Sequence, residues 1–354
     1  MTRALALSLR DRFAGQGAQV VEPPVLLPAD VLLDLYGEDI RGRAYVTADA
    51  LRGEQMLRPD FTVPVVQMHM AQGASPARYT YAGEVFRRQD DDPDRENEYL
   101  QVGYEVFDDA NPAAADAEVF ASLRSALAPL SLRAATGDIG ILMSAVDGLQ
   151  TSDRRKAALR RHIWRPRRFR ALLDRFGGRT PMPATRAALL TGDVPASGPL
   201  NGLRSRAEIE ARIDALREDA ALPPISVAEM EGLDALLNVR ETLPYAVDQL
   251  QALCADLPAI EPAVHRLRDR AEALSAQGVD IATLAFEASY GRTSMEYYDG
   301  FVFGFYADGR PDLPPVASGG RYDALTRRLG GADGIPAVGG VIRPGLVAAL
   351  EGTT

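Results

Sequence analysis

The chain contains almost no lysine and very little cysteine. Of its 39 basic residues one is lysine, Lys156, and no Gly-Lys-Ser/Thr occurs, which excludes a phosphate loop of the Walker type. The single cysteine, Cys254, excludes an internal disulfide and suits a reducing compartment. No apolar run reaches the roughly 20 residues of a membrane span, and Arg10 interrupts the apolar start of the chain, unlike a signal peptide. We therefore expect a cytoplasmic protein.

The charge balance gives no general reason to expect nucleic-acid binding. The net charge is −10 and the pI is about 5.0. One segment, 152–176, is an exception, with nine Lys/Arg residues between Arg154 and Arg170 and with Trp164 and Phe169 interleaved. This segment is either a nucleic-acid patch or a solvated helical face that pairs with acidic neighbours, and the acidic balance of the whole chain favours the second interpretation.

Two strand-like runs around a polar turn dominate the first half of the chain. They span about 78–88 and 99–107, and the turn between them carries four aspartates and a proline at positions 90–94. Such runs around an Asp/Pro loop predict an antiparallel hairpin. Because strands repeat every two residues, Gln101, Gly103 and Glu105 share one face. An amide and a carboxylate on one wall suit an ammonium or imidazole N–H.

The hairpin resembles a known motif. Phe86-Arg87, followed after the loop by Gln101-Val-Gly-Tyr-Glu105, is similar to motif 2 of class II aminoacyl-tRNA synthetases in the form used by histidyl-tRNA synthetases. In that family the motif arginine, here Arg87, holds the carboxylate and α-phosphate region of the substrate. Without the resemblance, an arginine at this place is an ordinary surface ion pair, worth about 0–1 kcal/mol.

A second element of the same family lies just upstream. Leu57-Arg-Pro-Asp-Phe-Thr62 resembles a Leu-Arg-Pro-Glu-Gly-Thr segment whose acid and threonine hold the amino group of histidine. Asp60 keeps the charge of the glutamate on a shorter arm, and Phe61 fills the space left open by the glycine. The spacing of Asp60 and Thr62 alone favours capping of the following helix over ligand binding.

Two further matches follow in the family's order near the C-terminal end. Tyr297-Tyr298 matches the tyrosine pair of a histidine-specific signature, which implies that Tyr298 contacts the imidazole; adjacent tyrosines otherwise indicate strand packing. Gly319-Gly-Arg-Tyr-Asp323 matches a Gly-Gly-Arg-Tyr-Asp block and adds Tyr322 to the implied pocket.

The chain departs from an active synthetase where ATP would bind. Thr293 stands at the place of a catalytic arginine, with Arg292 one residue out of register, and Leu346 stands at the place of the motif 3 arginine. The acidic turn at 90–94 would repel a polyphosphate. No anticodon-binding domain is expected before the chain ends at Thr354. Retained histidine elements without adenylation arginines resemble the ATP phosphoribosyltransferase regulatory subunits, a histidyl-tRNA synthetase-like family.

That resemblance implies a regulatory function without catalytic activity. A regulatory subunit would activate a short-form catalytic ATP phosphoribosyltransferase, contribute to histidine feedback inhibition, form a dimer through the synthetase-like core around positions 20–35, and bind no tRNA. No catalytic residue, cofactor or metal is expected. The implied histidine-binding residues are Asp60, Thr62, Arg87, Gln101, Glu105, Tyr298 and Tyr322.

The expected fold is α+β, with a mainly antiparallel sheet flanked by helices. We expect a class II synthetase-like core in two parts, 1–145 and 276–354, separated by a helical insertion at 146–275. The alternatives are a divergent histidyl-tRNA synthetase, a synthetase-like paralogue that modifies something other than tRNA, and a histidine-binding protein without an enzymatic partner.

Overall fold

A nine-stranded sheet forms the centre of the protein, in the order β1-β5-β6-β12-β11-β10-β7-β9-β8, and a smaller sheet has the order β2-β4-β3. All pairs are antiparallel except β1 with β5 and β7 with β9. The strands are β1 (Gln19–Val20), β2 (Leu26–Pro28), β3 (Val46–Asp49), β4 (Gly53–Leu57), β5 (Ala77–Phe86), β6 (Glu98–Phe107), β7 (Leu132–Asp138), β8 (Arg240–Thr242), β9 (Ala285–Glu287), β10 (Phe301–Ala307), β11 (Ala317–Arg321) and β12 (Ala337–Ile342). The computed structural model describes residues 2–36, 42–89, 95–192, 202, 204–292, 296–330 and 334–352.

Helices cover the sheet and make up most of the segment between β7 and β9. They are α1 (Thr2–Gly15), α2 (Ala29–Tyr36), α3 (Thr62–Gln72), α4 (Pro112–Ala126), α5 (Ile139–Gly148), α6 (Asp153–Arg161), α7 (Pro166–Phe176), α8 (Ala184–Thr191), α9 (Arg206–Ala221), α10 (Val227–Asn238), α11 (Leu243–Leu253), α12 (Glu261–Ala276), α13 (Asp323–Gly330) and α14 (Pro344–Glu351). The expected α+β class is confirmed.

The predicted hairpin is confirmed as β5 and β6, which pair along their whole length with Tyr81 opposite Gly103. One face of this pair packs on α1 and α4, because Phe13 stacks on Tyr104 at a centroid distance of 5.2 Å. Phe120 of α4 contacts Phe303 of the central sheet at 5.3 Å on the same side. The opposite face therefore carries Tyr81, Gly103 and Glu105.

Strand β8 and helix α12 join the helical segment at 146–275 to the core. Its short strand β8, which the sequence analysis did not predict, forms the edge of the central sheet next to β9. The buried Arg270 of α12 donates hydrogen bonds to Asp116 of α4 at 2.7 Å and to Asp138 of β7 at 2.8 Å. The division into three parts stays a prediction.

Several local expectations need correction. Tyr297 and Tyr298 lie in the connection before β10, so the alternative of strand packing does not apply to them. The short strands β2 and β4 were missed, since β2 is only three residues long and β4 includes a glycine. Positions 90–94 and Thr293 lie outside the described residues.

Candidate functional site

The carboxylate of Glu105 accepts hydrogen bonds from three hydroxyl groups. Thr62 Oγ1 and Tyr81 Oη donate to its Oε1 at 3.2 and 2.7 Å, and Tyr322 Oη donates to its Oε2 at 2.6 Å. Glu105 is 1% exposed, so the group lies in the interior. Burial raises its pKa to about 7, against the effect of the three hydroxyl groups, while the nearby Asp60 raises it further. We call Glu105, these three hydroxyl residues, Asp60, Gln101 and Tyr298 the Glu105 site.

Glycines make the room in which this site is built. A Cβ at Gly339, the partner of Glu105 in β12, would lie 1.4 Å from Glu105 Oε2. A Cβ at Gly103 would lie 2.0 Å from the ring of Tyr81, and one at Gly320 would lie 2.8 Å from the ring of Tyr298. Side chains of the Glu105 site can therefore lie flat against the sheet only because these positions carry no side chain.

Thr62 and Asp60 approach Glu105 from the start of α3. Thr62, the first residue of the helix, uses its hydroxyl for Glu105, so it does not cap the helix. Asp60 Oδ1 accepts a hydrogen bond from the Val63 amide at 3.3 Å, which is a capping contact. Asp60 also raises the pKa of both Glu105 and Tyr81. Asp60 therefore caps α3 and also lies close enough to Glu105 to act on its charge.

The ring of Phe61 packs against the Glu105 site. Its ring stacks on Tyr81 with centroids 4.2 Å apart, and the Arg58 guanidinium lies 4.0 Å from the Phe61 centroid. The larger side chain that replaces the family's glycine therefore packs beneath the site. The Arg58 guanidinium donates hydrogen bonds to the carbonyl oxygens of Glu84 and Pro23, at 2.8 and 2.7 Å.

Two tyrosines cover the site from the C-terminal half of the chain. Tyr298 is buried over Gly320, and burial together with the charge of Glu105 raises its pKa. Tyr322 follows Arg321, whose guanidinium donates to Asp116 at 2.7 Å and to Asp323 at 3.0 Å. These buried ion pairs hold the end of β11, and so they orient Tyr322 toward Glu105.

Gln101 and Arg87 lie at the edge of the group. Gln101 is 1% exposed, and among the described residues its side-chain oxygen has no hydrogen-bond partner. Arg87 Nε donates to the Pro59 carbonyl at 2.6 Å, and its charge lowers the pKa of Tyr298 against the effect of burial. Both lie on the hairpin, two pleats or more from Glu105 along the strands.

The sequence analysis missed Tyr81 and Gly339. Tyr81 donates to Glu105, and Gly339 provides its space. The antiparallel pairing of β5 with β6 could have revealed Tyr81. Tyr81 lies directly opposite Gly103, so its side chain is on the same face of the sheet as Glu105. Gly339 could not have been found in this way, since β12 joins β6 from a distant part of the chain.

The arginines near the expected ATP site have other contacts. Arg292 Nε donates to the Ile163 carbonyl at 2.9 Å, which directs the side chain toward the helical segment. Arg343 Nη1 donates to the Pro315 carbonyl at 2.5 Å, and burial lowers its pKa. Leu346 lies in α14, half-buried against the core.

No metal site or membrane-spanning element is found in the described part of the chain. Among the described ranges no three His, Cys, Asp or Glu residues are grouped so that they could hold a metal ion. In the same ranges no helix has the length and apolar character needed to cross a membrane. Cavities of about 420 and 250 Å³ lie beside Arg124 and Arg155, away from Glu105.

Comparison with known proteins identifies relatives that span most of the chain. A family model described as histidyl-tRNA synthetase matches residues 1–344. The ATP phosphoribosyltransferase regulatory subunit of Brucella anthropi is 32% identical over 362 residues, covering 94% of this chain and 93% of that protein. The protein of the same name from Brucella ovis is 32% identical over 359 residues, with 94% and 93% covered.

Solved structures show the same fold. A protein described as an ATP phosphoribosyltransferase regulatory subunit/histidyl-tRNA synthetase from Bacillus halodurans superposes with a TM-score of 0.68 at 22% identity, over 99% of this chain and 79% of that one. The histidyl-tRNA synthetase of Nostoc gives a TM-score of 0.64 at 16% identity, over 99% and 72%. The chain belongs to the ATP phosphoribosyltransferase regulatory subunit family, which has the fold of the class II histidyl-tRNA synthetases.

Proposed function

We propose that this chain is a non-catalytic regulatory subunit that binds histidine at the Glu105 site. In this role it activates a short-form catalytic ATP phosphoribosyltransferase and contributes to feedback inhibition of that enzyme by histidine. The names of the relatives support the regulatory role and the partner. The buried carboxylate of Glu105, with Asp60 close enough to raise its pKa, is the observation that supports histidine as the effector.

Two carboxylates in one interior site favour a ligand that carries positive charge and N–H donors. An ionised carboxylate offers about four lone-pair sites, and Glu105 uses three of them for hydroxyl groups. The oxygen of Gln101 is an additional buried acceptor. Histidine supplies both an ammonium and an imidazole N–H, so it can satisfy acceptors that an uncharged ligand would leave unpaired.

Each predicted residue has a role in this proposal. Asp60 and Thr62 receive the ammonium, Glu105 and Gln101 accept from the imidazole, and Tyr298 packs against its ring. Arg87 meets the carboxylate as a charge-assisted partner. Tyr322 belongs to the same pocket and orients Glu105 through its hydroxyl.

Inhibition then follows from linkage between two states of the assembly. Histidine shifts the equilibrium only by its difference in affinity for those states. Coupling of about 1–3 kcal/mol between effector and partner site is typical for such systems. The catalytic subunit would in turn change the affinity for histidine by the same factor.

A homodimer through the synthetase-like core is part of the proposal. Exposed apolar side chains occur on β1, β2 and β3, just before β2, and in the turn between β3 and β4. Val20, Val25, Leu26 and Val46 are 40–48% exposed, and Leu51 is 94% exposed. Strand β1 is also an edge strand of the central sheet. An unpaired edge beside apolar side chains favours contact with another chain.

The deciding experiment is the turnover of a short-form catalytic subunit with and without this chain, across a histidine titration. We expect activation by the chain, and inhibition by histidine only in its presence. The variant Glu105→Gln should activate normally and resist histidine. Glu98→Gln, on the exposed end of the same strand, is the matched control and should behave as wild type. Unchanged turnover in the presence of the chain would contradict the proposal.

One observation favours a divergent synthetase as a second candidate. The charges of Arg87 and Arg95 lower the pKa of Arg343, so a second arginine lies near the motif 2 arginine although Leu346 occupies the motif 3 position. Histidine-dependent exchange between ATP and pyrophosphate tests this candidate. Exchange that disappears in Arg343→Gln would support it, and the absence of exchange would exclude it.

A further inference from the structure

Three buried polar atoms gather where the turn between α6 and α7 meets the core. Among the described residues, six buried side-chain nitrogen or oxygen atoms have no hydrogen-bond partner, and three of them are His162 Nδ1, Trp164 Nε1 and Arg292 Nη2. The Nε of Arg292 donates to the Ile163 carbonyl at 2.9 Å, which places this guanidinium directly beneath the turn. Buried polar groups are normally paired, so their concentration in one turn calls for an explanation.

Arg292 is a buried cation without a counter-ion in this turn. It is 5% exposed, and its guanidinium carbon lies 4.7 Å from the ring centroid of Phe169. Burial lowers its pKa to about 10, and the charge of Arg170 lowers it further. Within the described ranges no carboxylate contributes to the pKa of Arg292. An unpaired buried charge destabilises a protein until an anion neutralises it.

The rim of the turn is also positively charged. Burial lowers the pKa of His162, and the charges of Arg165, Arg168 and Arg161 add to this effect. Arg161 and Arg168 are exposed, while Arg165 pairs with Glu296 at 3.1 Å. The turn thus combines exposed cations at its surface, Arg161 and Arg168, with the buried N–H donors of Trp164 and Arg292 beneath them. This explains part of the basic segment 152–176, in which Arg155, Arg160 and Arg170 pair with Asp219, Asp147 and Asp234.

We propose that this turn, with Arg292 beneath it and Trp164 and His162 beside it, binds a small phosphate-bearing anion. A phosphate group presents several acceptor oxygens at neutral pH, and an arginine fork matches two of them. Several neighbouring cations favour its two charges over the single charge of a carboxylate. Because Arg292 Nη2 and Trp164 Nε1 are covered, the anion reaches them only when the turn moves. Binding must therefore change the surroundings of Trp164. The site contains none of the residues of the Glu105 site and is independent of the proposed function.

The test uses the indole as a reporter, since Trp164 is the only tryptophan of the chain. Fluorescence of the full chain is recorded during titration with inorganic phosphate, pyrophosphate or ribose 5-phosphate at constant ionic strength, with sodium acetate as the comparison. We expect a saturable change with at least one phosphate compound and none with acetate. Preference for ribose 5-phosphate would identify a phosphorylated metabolite, and preference for phosphate or pyrophosphate would identify the inorganic ion; both support the site.

Variants separate this site from general charge effects. Arg292→Met should weaken phosphate binding at least tenfold and raise the melting temperature of the free chain, because it removes an unpaired buried charge. Arg154→Gln, an exposed arginine at the start of α6, is the matched control and should bind as wild type. If Arg292→Met does not fold, the double variant Arg161→Gln/Arg168→Gln should still weaken binding severalfold.

Several results would overturn the proposal. These are no saturable change with any phosphate compound, an equal response to acetate, and unchanged affinity in Arg292→Met. Binding of single-stranded RNA without binding of the small phosphates would show a nucleic-acid surface instead. Histidine affinity is measured in the same variant and should be unchanged, so failure of this site and failure of the Glu105 site give different results.

Discussion

The hydroxyl of Tyr322 donates a 2.6 Å hydrogen bond to Oε2 of Glu105, a residue 217 positions earlier in the chain. The contact joins distant parts of the chain at the proposed histidine site. It favours the ionised form of Glu105, since its effect is to lower a pKa that burial has raised. The proposed role of Tyr322 in orienting Glu105 can be tested by removing its hydroxyl alone.

Tyr322→Phe should weaken histidine binding. A hydrogen bond to a charged group contributes about 1.5–3 kcal/mol. Without the Tyr322 hydroxyl the pKa of Glu105 rises further, so part of that free energy is lost from histidine binding. We expect histidine affinity to fall about tenfold near pH 7, measured by isothermal titration calorimetry. Tyr245→Phe, on a side chain that is 66% exposed, is the control and should not change affinity. An unchanged affinity in Tyr322→Phe would show that this hydroxyl does not influence the ligand.

Stability should fall as the pH rises from about 4.5 to about 7, because the pKa of Glu105 is raised to about 7 from its ordinary value of 4.5. In that range the folded protein binds more protons than the unfolded chain, so the contribution of Glu105 is present at low pH and is lost on deprotonation. The loss amounts to about 3 kcal/mol. Other groups titrate in the same range, so the slope must be compared between variants.

Denaturant unfolding between pH 5 and 8 measures this effect. Glu105→Gln should remove the slope assigned to Glu105 and be more stable than wild type at pH 8. Glu98→Gln should keep the slope of the wild type, since Glu98 is exposed. Parallel curves for wild type and Glu105→Gln would contradict the raised pKa.

Gly339→Ala should disrupt the Glu105 site. Its Cβ would lie 1.4 Å from Glu105 Oε2, so the carboxylate must leave its position or the strands must separate. Overpacking of this kind costs about 1–3 kcal/mol, and histidine binding should be lost. The matched control is Gly345→Ala, where the added Cβ meets nothing within 4 Å. Calorimetry for the ligand and thermal unfolding for the protein measure the two effects, and wild-type values for both would refute the close contact.

Gln101→Met should have effects of opposite sign on stability and binding. The Gln101 oxygen is buried without a partner in the described part of the chain, and an unsatisfied group of this kind costs about 1–3 kcal/mol. Methionine has a similar volume and removes that cost, so the free protein should melt at a higher temperature. Histidine affinity should fall, because an acceptor for its N–H groups is gone. A variant that is stabilised and binds histidine normally would remove Gln101 from the site.

Leu26→Glu should weaken the proposed homodimer. The residue is 48% exposed on β2 within the apolar patch, and a buried charge at an interface opposes association. Light scattering after size-exclusion chromatography should show a shift toward monomer. Tyr245→Glu, at an exposed position of α11, should leave the mass unchanged. A monomeric wild type, or a Leu26→Glu variant that remains dimeric, would contradict this interface.

The sequence by itself determined the hairpin of β5 and β6 and its polar face. The two-residue period of β6 predicts that Gln101 and Glu105 share a side, and the turn residues predict the pairing of β5 with β6. Ordered matches to one family added Asp60, Thr62, Tyr298 and Tyr322. These inferences rest on side-chain periodicity and motif order, which are properties of neighbouring residues.

Only the tertiary structure decided what surrounds Glu105. Three hydroxyl groups from three separate elements meet there, and Gly339 makes the space for them. The raised pKa depends on complete burial, and the position of Arg292 beneath Ile163 depends on how the helical segment packs on the core. Contacts between elements far apart in the chain follow from strand order and packing, for which local spacing carries no signal.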